Sequence, residues 1–334
     1  MLKNLIFLTE DKQLQKEVTD FLTEWSDPSP TLLVKTSGST GKPKLMVVLK
    51  EHMRISARKT ISTFSIPAGG TAFLCLSLET IAGKMMVVRA FENEMTLYVG
   101  DNRSTALCEL PISEFDLMAV VPLQLESGLK CNSSILRKSK TILVGGGNIS
   151  SEQVQHLAES RITVYHTYGM TETLTHIAFR RAGANTDERY TPLSGVTISS
   201  EEGCLRIDYP ELGIEKLVTS DLVTIDPTGH FQITGRADFV VNSGGIKFHP
   251  EELEIQIEHI IQKPFFIGGL PDPHLGEKLV LILEGTPSEN DMDLLQLIKP
   301  MLPKHGCPKE ICYVHEFLRT ESLKIRRKEI LSKI

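Results

Sequence analysis

The sequence predicts a layered α/β protein: a large N-terminal domain with a mostly parallel sheet and a small β-rich portion, followed by a small mobile α+β C-terminal domain. Three observations carry this. Short apolar runs alternate with helical patterns over the first two-thirds of the chain, the order that a covered parallel sheet requires. From about Gly195 short strands separated by turns take over. After Asp238 helix and strand signals mix again. The division is 1–237 and 238–334, and 334 residues suffice for two cores.

In order, 32–34 and 46–49 read as strands and 51–64 as a helix. Buried apolar runs follow at Val87-Val88, 117–121, 142–144 and 162–165, with a helix at 151–160 between the last two. Short strands are expected at 204–207, 217–219, 222–225 and 231–234. Asp226-Pro227-Thr228-Gly229 is a hairpin turn between the last two. A helix over 250–261 opens on Pro250, with Glu251, Glu252 and Glu254 near the positive end of its dipole. Strands near 265–267 and 279–283 and a helix near 291–299 complete the pattern.

Composition removes several functions. With 42 acidic and 36 basic residues the net charge is −6, against the basic footprint of a nucleic-acid binder. No apolar run approaches the ~18 residues of a membrane span. The apolar stretch at Leu5-Ile6-Phe7-Leu8 is too short for a secretory signal. The 6 cysteines are scattered without a CxxC pair, so reduced thiols in a cytoplasmic protein are expected.

The chemistry concentrates in Thr36-Ser37-Gly38-Ser39-Thr40-Gly41-Lys42-Pro43-Lys44. Glycines let backbone N–H groups converge on an anion, hydroxyls donate further hydrogen bonds and lysine adds charge, so a polyphosphate is the natural guest. Walker spacing is absent, because Lys42 stands where that pattern demands glycine.

This loop resembles the signature of the acyl-adenylating superfamily of acyl-CoA and aryl-CoA synthetases, luciferases and nonribosomal adenylation domains. Four further stretches match in order. Tyr168-Gly169-Met170-Thr171-Glu172 resembles the aromatic-glycine-threonine-glutamate motif. Thr219-Ser220-Asp221 resembles the ribose-binding threonine-glycine-aspartate, with Ser220 replacing glycine. Gly235-Arg236-Ala237-Asp238, with Ser243-Gly244-Gly245 and the segment from Pro250 to Glu254, resembles the hinge. The stretch from Leu318 to Arg327 resembles the catalytic-lysine motif, with Leu318 and Leu323 in place of proline and glycine. Only 35 residues precede the loop, where typical members carry an extra subdomain.

The resemblance implies that a carboxylate attacks the α-phosphorus of ATP and that coenzyme A takes the acyl group from the adenylate. Thr36, Ser37, Gly38, Ser39, Thr40, Gly41 and Lys44 would hold pyrophosphate. Thr171 would donate to the α-phosphate and Glu172 would bind Mg²⁺. Tyr168 and the Gly145-Gly146-Gly147 turn would meet adenine, and Asp221 and Arg236 the ribose. Lys324 would steady the charge that develops at the reacting carboxylate. Asp238 would be the pivot that withdraws Lys324 and brings in Gly244 and Gly245 for thioester formation.

Further stretches, 74–78, 81–89, 119–125, 143–147 and 164–168, resemble the o-succinylbenzoate–CoA ligases of menaquinone synthesis, whose compact members also fit the short N-terminus. Such an acid keeps a second carboxylate, for which Lys84 and Arg89 in the apolar stretch 82–91 are candidates. His166 and Thr167, just before Tyr168, are candidate pocket residues. Structural roles for these side chains stay open. So do other aryl-CoA ligases, an aryl adenylase that loads a carrier protein, and a non-catalytic nucleotide binder. A homo-oligomer is compatible with the sequence.

Overall fold

The computed structural model describes residues 2–35, 45–112, 114–183, 186–291, 293–320 and 324–334. The first part runs β1 (Asn4–Phe7), α1 (Lys12–Ser26), β2 (Thr31–Lys35), β3 (Leu45–Leu49), α2 (Lys50–Thr63), β4 (Thr71–Leu74), α3 (Ile81–Glu92), β5 (Thr96–Val99), β6 (Leu117–Val120), α4 (Pro122–Cys131), α5 (Ser133–Lys138), β7 (Thr141–Val144), α6 (Ser151–Glu159), β8 (Val164–Gly169), β9 (His176–Ala182) and β10 (Thr191–Pro192). Then come β11 (Thr197–Glu201), β12 (Cys204–Tyr209), β13 (Ile214–Ile225) and β14 (Phe231–Arg236). The last part is β15 (Val241–Ser243), β16 (Ile246–Phe248), α7 (Pro250–Ile257), β17 (Phe265–Asp272), β18 (Gly276–Glu284), α8 (Leu294–Ile298), β19 (Glu310–Val314) and α9 (Arg327–Leu331).

Eight strands form the large sheet in the order β1-β5-β4-β6-β7-β8-β9-β10, parallel from β1 to β8 and antiparallel beyond. Its strands read as continuous apolar runs because both faces are covered. Along β4, Ala72 and Leu74 enter the core against α1–α3, while Phe73 enters the core against α4–α6; β6 and β7 alternate likewise. β11–β14 form an antiparallel sheet whose Leu205, Ile207, Tyr209 and Phe231 join the first core. The segment from Val241 onward builds its own two buried clusters around β15–β19, which share no residue with the earlier ones.

Several elements differ from the sequence reading. α1 was not among the expected helices, although its signals are local. Asp11 accepts from the backbone N–H groups of Gln13 and Leu14, and Leu14, Val18, Phe21 and Trp25 form one buried stripe. The apolar run around Val87-Val88 lies inside α3, capped by Thr80. The two strands expected at 217–219 and 222–225 are one strand, β13. α7 stops at Ile257.

The expectation of reduced thiols needs correction. Cys108 and Cys131 are disulfide-bonded, while Cys75, Cys204, Cys307 and Cys312 are free. A bare Gly128 lets the 105–108 turn approach α4 closely, since a Cβ there would lie 2.7 Å from Leu107. The Asn132 amide donates to the Leu107 carbonyl at 2.9 Å. The contact depends on a tertiary approach that the spacing of the cysteines does not reveal. No helix among the described residues is long and apolar enough to cross a membrane.

The direction in which successive strands join the sheet reverses between β4 and β6, where open α/β sheets commonly bind ligands. Here that crevice is plugged by Gln124, whose amide donates to the carbonyls of Cys75 (2.7 Å) and Arg103 (3.2 Å) and accepts from the Val121 N–H (3.1 Å). The strand ends next to it are those of β7 and β8, and a further cavity opens beyond β1 and β5, lined by Thr9, Asp11, Asp101 and Arg103. Gln124→Leu should leave these three groups unpaired and lower the unfolding free energy by about 3 kcal/mol, read by urea denaturation. A loss under ~0.5 kcal/mol, the usual range for an inconsequential substitution, would show that the plug is not what closes the crevice.

Candidate functional site

At the end of β7 the chain turns through Gly145-Gly146-Gly147. Only Gly146 has positive φ, at 84°. Gly145 is bare for another reason: a Cβ would sit 2.8 Å from the Thr167 hydroxyl, which donates to the Val144 carbonyl. Thr167 thus braces this turn from β8. Gly169 has still less room, since a Cβ there would lie 2.2 Å from the Thr175 carbonyl. Beyond it, buried Thr171 and exposed Glu172 sit on the tight connection to β9.

Asp221 and Arg236 are cross-strand partners on β13 and β14, which is why residues distant in sequence meet. Arg236 Nη1 donates to Asp221 at 2.9 Å, and the Tyr168 hydroxyl donates to the other carboxylate oxygen at 2.5 Å. Burial and the adjacent Asp221 carboxylate push the Tyr168 phenol upward, so it stays a donor. Arg236 also reaches Asp238, Nε to Oδ1 at 2.9 Å and Nη2 to Oδ2 at 3.3 Å. Burial works to lower its pKa, but Asp238 and Asp221 together hold it above the ordinary value.

Lys324 enters from the C-terminal part. Arg319 and Ile325 pair across a short hairpin, and the Lys324 N–H donates to the Thr320 hydroxyl at 3.2 Å. Its side chain is accessible to water but enclosed by protein on most sides. This desolvation lowers its pKa, and nearby Arg236 lowers it further, against the pull of Asp221. The lysine therefore lies within electrostatic reach of the arginine and the acid. Gly244 and Gly245 form the exposed two-residue turn between β15 and β16, both with positive φ, 61° and 82°. Leu318 packs in the C-terminal core. The loop residues Thr36, Ser37, Gly38, Ser39, Thr40, Gly41 and Lys44 lie outside the described residues, as does Leu323.

The candidate acid-pocket residues do not converge. Five positions apart on a helix means about 140° between side chains. Lys84 therefore turns to α1, its ammonium 4.7 Å from the Phe21 ring centre, while buried Arg89 turns to the Thr171 loop, donating from Nη2 to the Thr175 hydroxyl at 2.7 Å. Among the described residues Arg89 has no carboxylate partner, and its Nε is buried without a hydrogen bond. Burial lowers its pKa to about 10, which leaves it charged at neutral pH.

His166 is fully engaged. Its Nε2–H donates to the Gly147 carbonyl at 2.9 Å, and its Nδ1 accepts from the Tyr190 hydroxyl (3.0 Å) and Arg180 Nε (3.2 Å). It pins the glycine turn instead of facing a pocket. Tyr190, Arg180 and Thr175 were not legible as site residues, because their partners are set by sheet register. For magnesium, a hard cation that keeps water and takes one or two carboxylates, exposed Glu172 beside the Thr171 hydroxyl is a fitting donor set.

The model of the AMP-binding enzyme family matches residues 4–205. A 2-succinylbenzoate–CoA ligase of Enterococcus faecalis is 24% identical over 383 residues, which cover 99% of this chain and 76% of the relative. An acyl-CoA synthetase (AMP-forming)/AMP-acid ligase II-like protein from Dyadobacter fermentans superposes with TM-score 0.63 at 32% identity, covering 97% of this chain and 95% of that one. An o-succinylbenzoate coenzyme A synthetase from Bacillus subtilis, in complex with ATP and magnesium ion, gives TM-score 0.73 at 21% identity, covering 89% and 69%.

Burial, reinforced by Arg180, lowers the His166 pKa from 6.5 to about 4, and burial drives that of His176 well down. Folding favours the neutral ring, so this stability is complete above pH 6.5 and is lost as pH falls from there toward 4. The slope approaches about 1.4 kcal/mol per pH unit per histidine. Unfolding free energy measured between pH 7 and 5 should fall, and His166→Gln should flatten the slope. An identical slope in the variant would refute the assignment.

Proposed function

Because the chain belongs to the AMP-binding enzyme family, we propose that it is an acid–CoA ligase that activates its acid as an acyl-adenylate. One observation carries this reading: Tyr168, Asp221 and Arg236 form a polar floor beside the glycine turn, with Lys324 within electrostatic reach of that acid and arginine. The adenosine would lie on that floor, with its ribose hydroxyls donating to Asp221. A carboxylate oxygen attacks the α-phosphorus, the bond to the bridging oxygen breaks, and pyrophosphate leaves. Two anions meet in this step, so preorganised cations and donors supply the stabilisation. Lys324 and Thr171 would contribute to it, and the 36–44 loop would hold the leaving group. Magnesium at Glu172 would offset phosphate charge.

In the second half-reaction the coenzyme A thiolate attacks the acyl carbon and the C–O bond to AMP breaks. We assign the pivot to Asp238, which lies between cores that share no residue, and the incoming loop to Gly244 and Gly245. The two steps then use one pocket in turn.

The proposed acid is o-succinylbenzoate. Relatives of that name support it, and so does Arg89, a buried cation beneath the Thr171 loop without a carboxylate partner among the described residues. A substrate's second carboxylate would complete that pair. The use of ATP and coenzyme A supports a cytoplasmic reaction, a compartment in which the Cys108–Cys131 bond is unusual.

Lys324→Ala should slow adenylation more than tenfold, a barrier change above about 1.4 kcal/mol, and spare thioester formation from a supplied acyl-adenylate. Equal loss of both steps would remove the lysine from its role. Arg89→Met should reduce kcat/KM for o-succinylbenzoate at least ~30-fold, the scale of stripping one partner from a buried charge pair. An analogue without the ring carboxylate should be little affected. Similar losses for the two acids would sink the substrate assignment.

A further inference from the structure

Four charged side chains run in one line across the proposed pivot. Asp221 pairs with Arg236 at 2.9 Å, Arg236 with Asp238 at 2.9 Å, and Asp238 with Lys328 at 3.3 Å. Asp221 and Arg236 belong to the antiparallel sheet β13–β14 of the large part; Lys328 belongs to α9, in the C-terminal part. Asp238 is the shared member, and the two cations hold its carboxylate below its ordinary pKa although burial opposes them. The next residue is gripped in the same way. The Phe239 ring has Arg236 at 5.6 Å, Arg327 at 5.4 Å and Lys328 at 5.9 Å from its centre. Arg327 is itself anchored to Glu254 of α7 by two 2.7 Å hydrogen bonds. Thus α9 has a fixed seat on its own core and holds the pivot from one side, while Arg236 holds it from the other.

Lys328 lies four residues after Lys324, on the segment that carries the catalytic lysine to Asp221. Rotation about the pivot would move α9 relative to β14, so one carboxylate could not keep both cations. On the proposed function, the bridge would belong to the present arrangement of the two parts, in which Lys324 feels the charge of Asp221. A group that contacts one of two states shifts their populations by its differential interaction.

We infer that Lys328 is a positioning residue: through Asp238 and Arg236 it latches the adenylate-forming arrangement and ties it to the ribose-binding carboxylate. The half-reactions invoked rest on the function proposed above. Lys328 touches neither substrate nor reacting atoms, so its removal changes the balance between two arrangements instead of the chemistry within either.

The test is rapid-quench measurement of each half-reaction in the full chain. Lys328→Gln should lower the ratio of adenylation rate to thioester transfer from supplied adenylate about fivefold, the scale of one partly exposed ion pair. Lys328→Arg should restore it. Raising the salt concentration should carry the wild-type ratio toward that of the Gln variant, because the pair is half-exposed. A ratio unchanged in Lys328→Gln, or equal losses in both steps, would overturn the latch.

A second measurement does not depend on the reaction. Spin labels attached through an unnatural amino acid at exposed Gln155 and Lys304 report the separation of the two parts. The distance distribution should move to a second population in Lys328→Gln and stay at the wild-type one in Lys328→Arg. If wild type makes no adenylate from any acid, the functional reading fails while these distances still decide the latch. Identical distributions in all three proteins would refute it.

Discussion

The site depends on the cross-strand pair of Asp221 and Arg236. Antiparallel register sets the two opposite one another, and everything functional in this part of the molecule is arranged around them. Tyr168 reaches Asp221 from the large sheet, Asp238 reaches Arg236 from the chain leaving β14, and the Lys324 ammonium arrives from the C-terminal part. A carboxylate held between a phenol and a guanidinium keeps lone pairs directed at fixed points, as recognition of a vicinal diol requires. The same guanidinium carries the connection on to the pivot. On the proposed function, ribose recognition and domain arrangement would share a charged group.

Around that pair, the large sheet supplies rigidity by filling or bracing openings at its strand ends. Gln124 closes the crevice between β4 and β6 with three hydrogen bonds. Thr167 and His166 fix the glycine turn at the next strand ends, one from each face of β8. Burial makes both arrangements costly to disturb, since an unpaired amide or a protonated imidazole inside the sheet would find no replacement partner. Arg89 differs from them: it keeps its charge with one hydroxyl and one thioether as hydrogen-bond partners among the described residues. A cation at that depth without a carboxylate beside it is what the proposed substrate contact rests on.

Much of the fold was legible along the chain. Apolar runs at β6, β7 and β8 mark a covered sheet, those at β2 and β3 mark a separate two-stranded pair with one face exposed, and the Asp226–Gly229 turn marks the β13–β14 hairpin, because these signals are local. α1 had equally local signals, in Asp11 and its stripe of Leu14, Val18, Phe21 and Trp25. The five ordered motifs singled out Asp221, Asp238 and Lys324 as the candidate ribose acid, hinge and catalytic lysine. What they did not reveal was which candidates share a face. Lys84 and Arg89 sit together in an apolar stretch, but a helix turns them toward α1 and toward the Thr171 loop respectively. His166 stands next to the nucleotide motif in sequence, yet its ring is consumed by Gly147, Tyr190 and Arg180.

The sequence by itself determined the layered architecture, the order of the motifs and the kinds of side chain available to a polyphosphate and an acid. Periodicity and turn chemistry act over a few residues and can be read one segment at a time. Only the tertiary structure decided that Cys108 meets Cys131, that Arg89 is buried without a carboxylate partner among the described residues, and that Lys328 completes a charged line through Asp238 to Asp221. Those facts depend on helix phase, sheet register and the docking of α9. They are relations between distant segments, set when the cores close, and no local pattern encodes them.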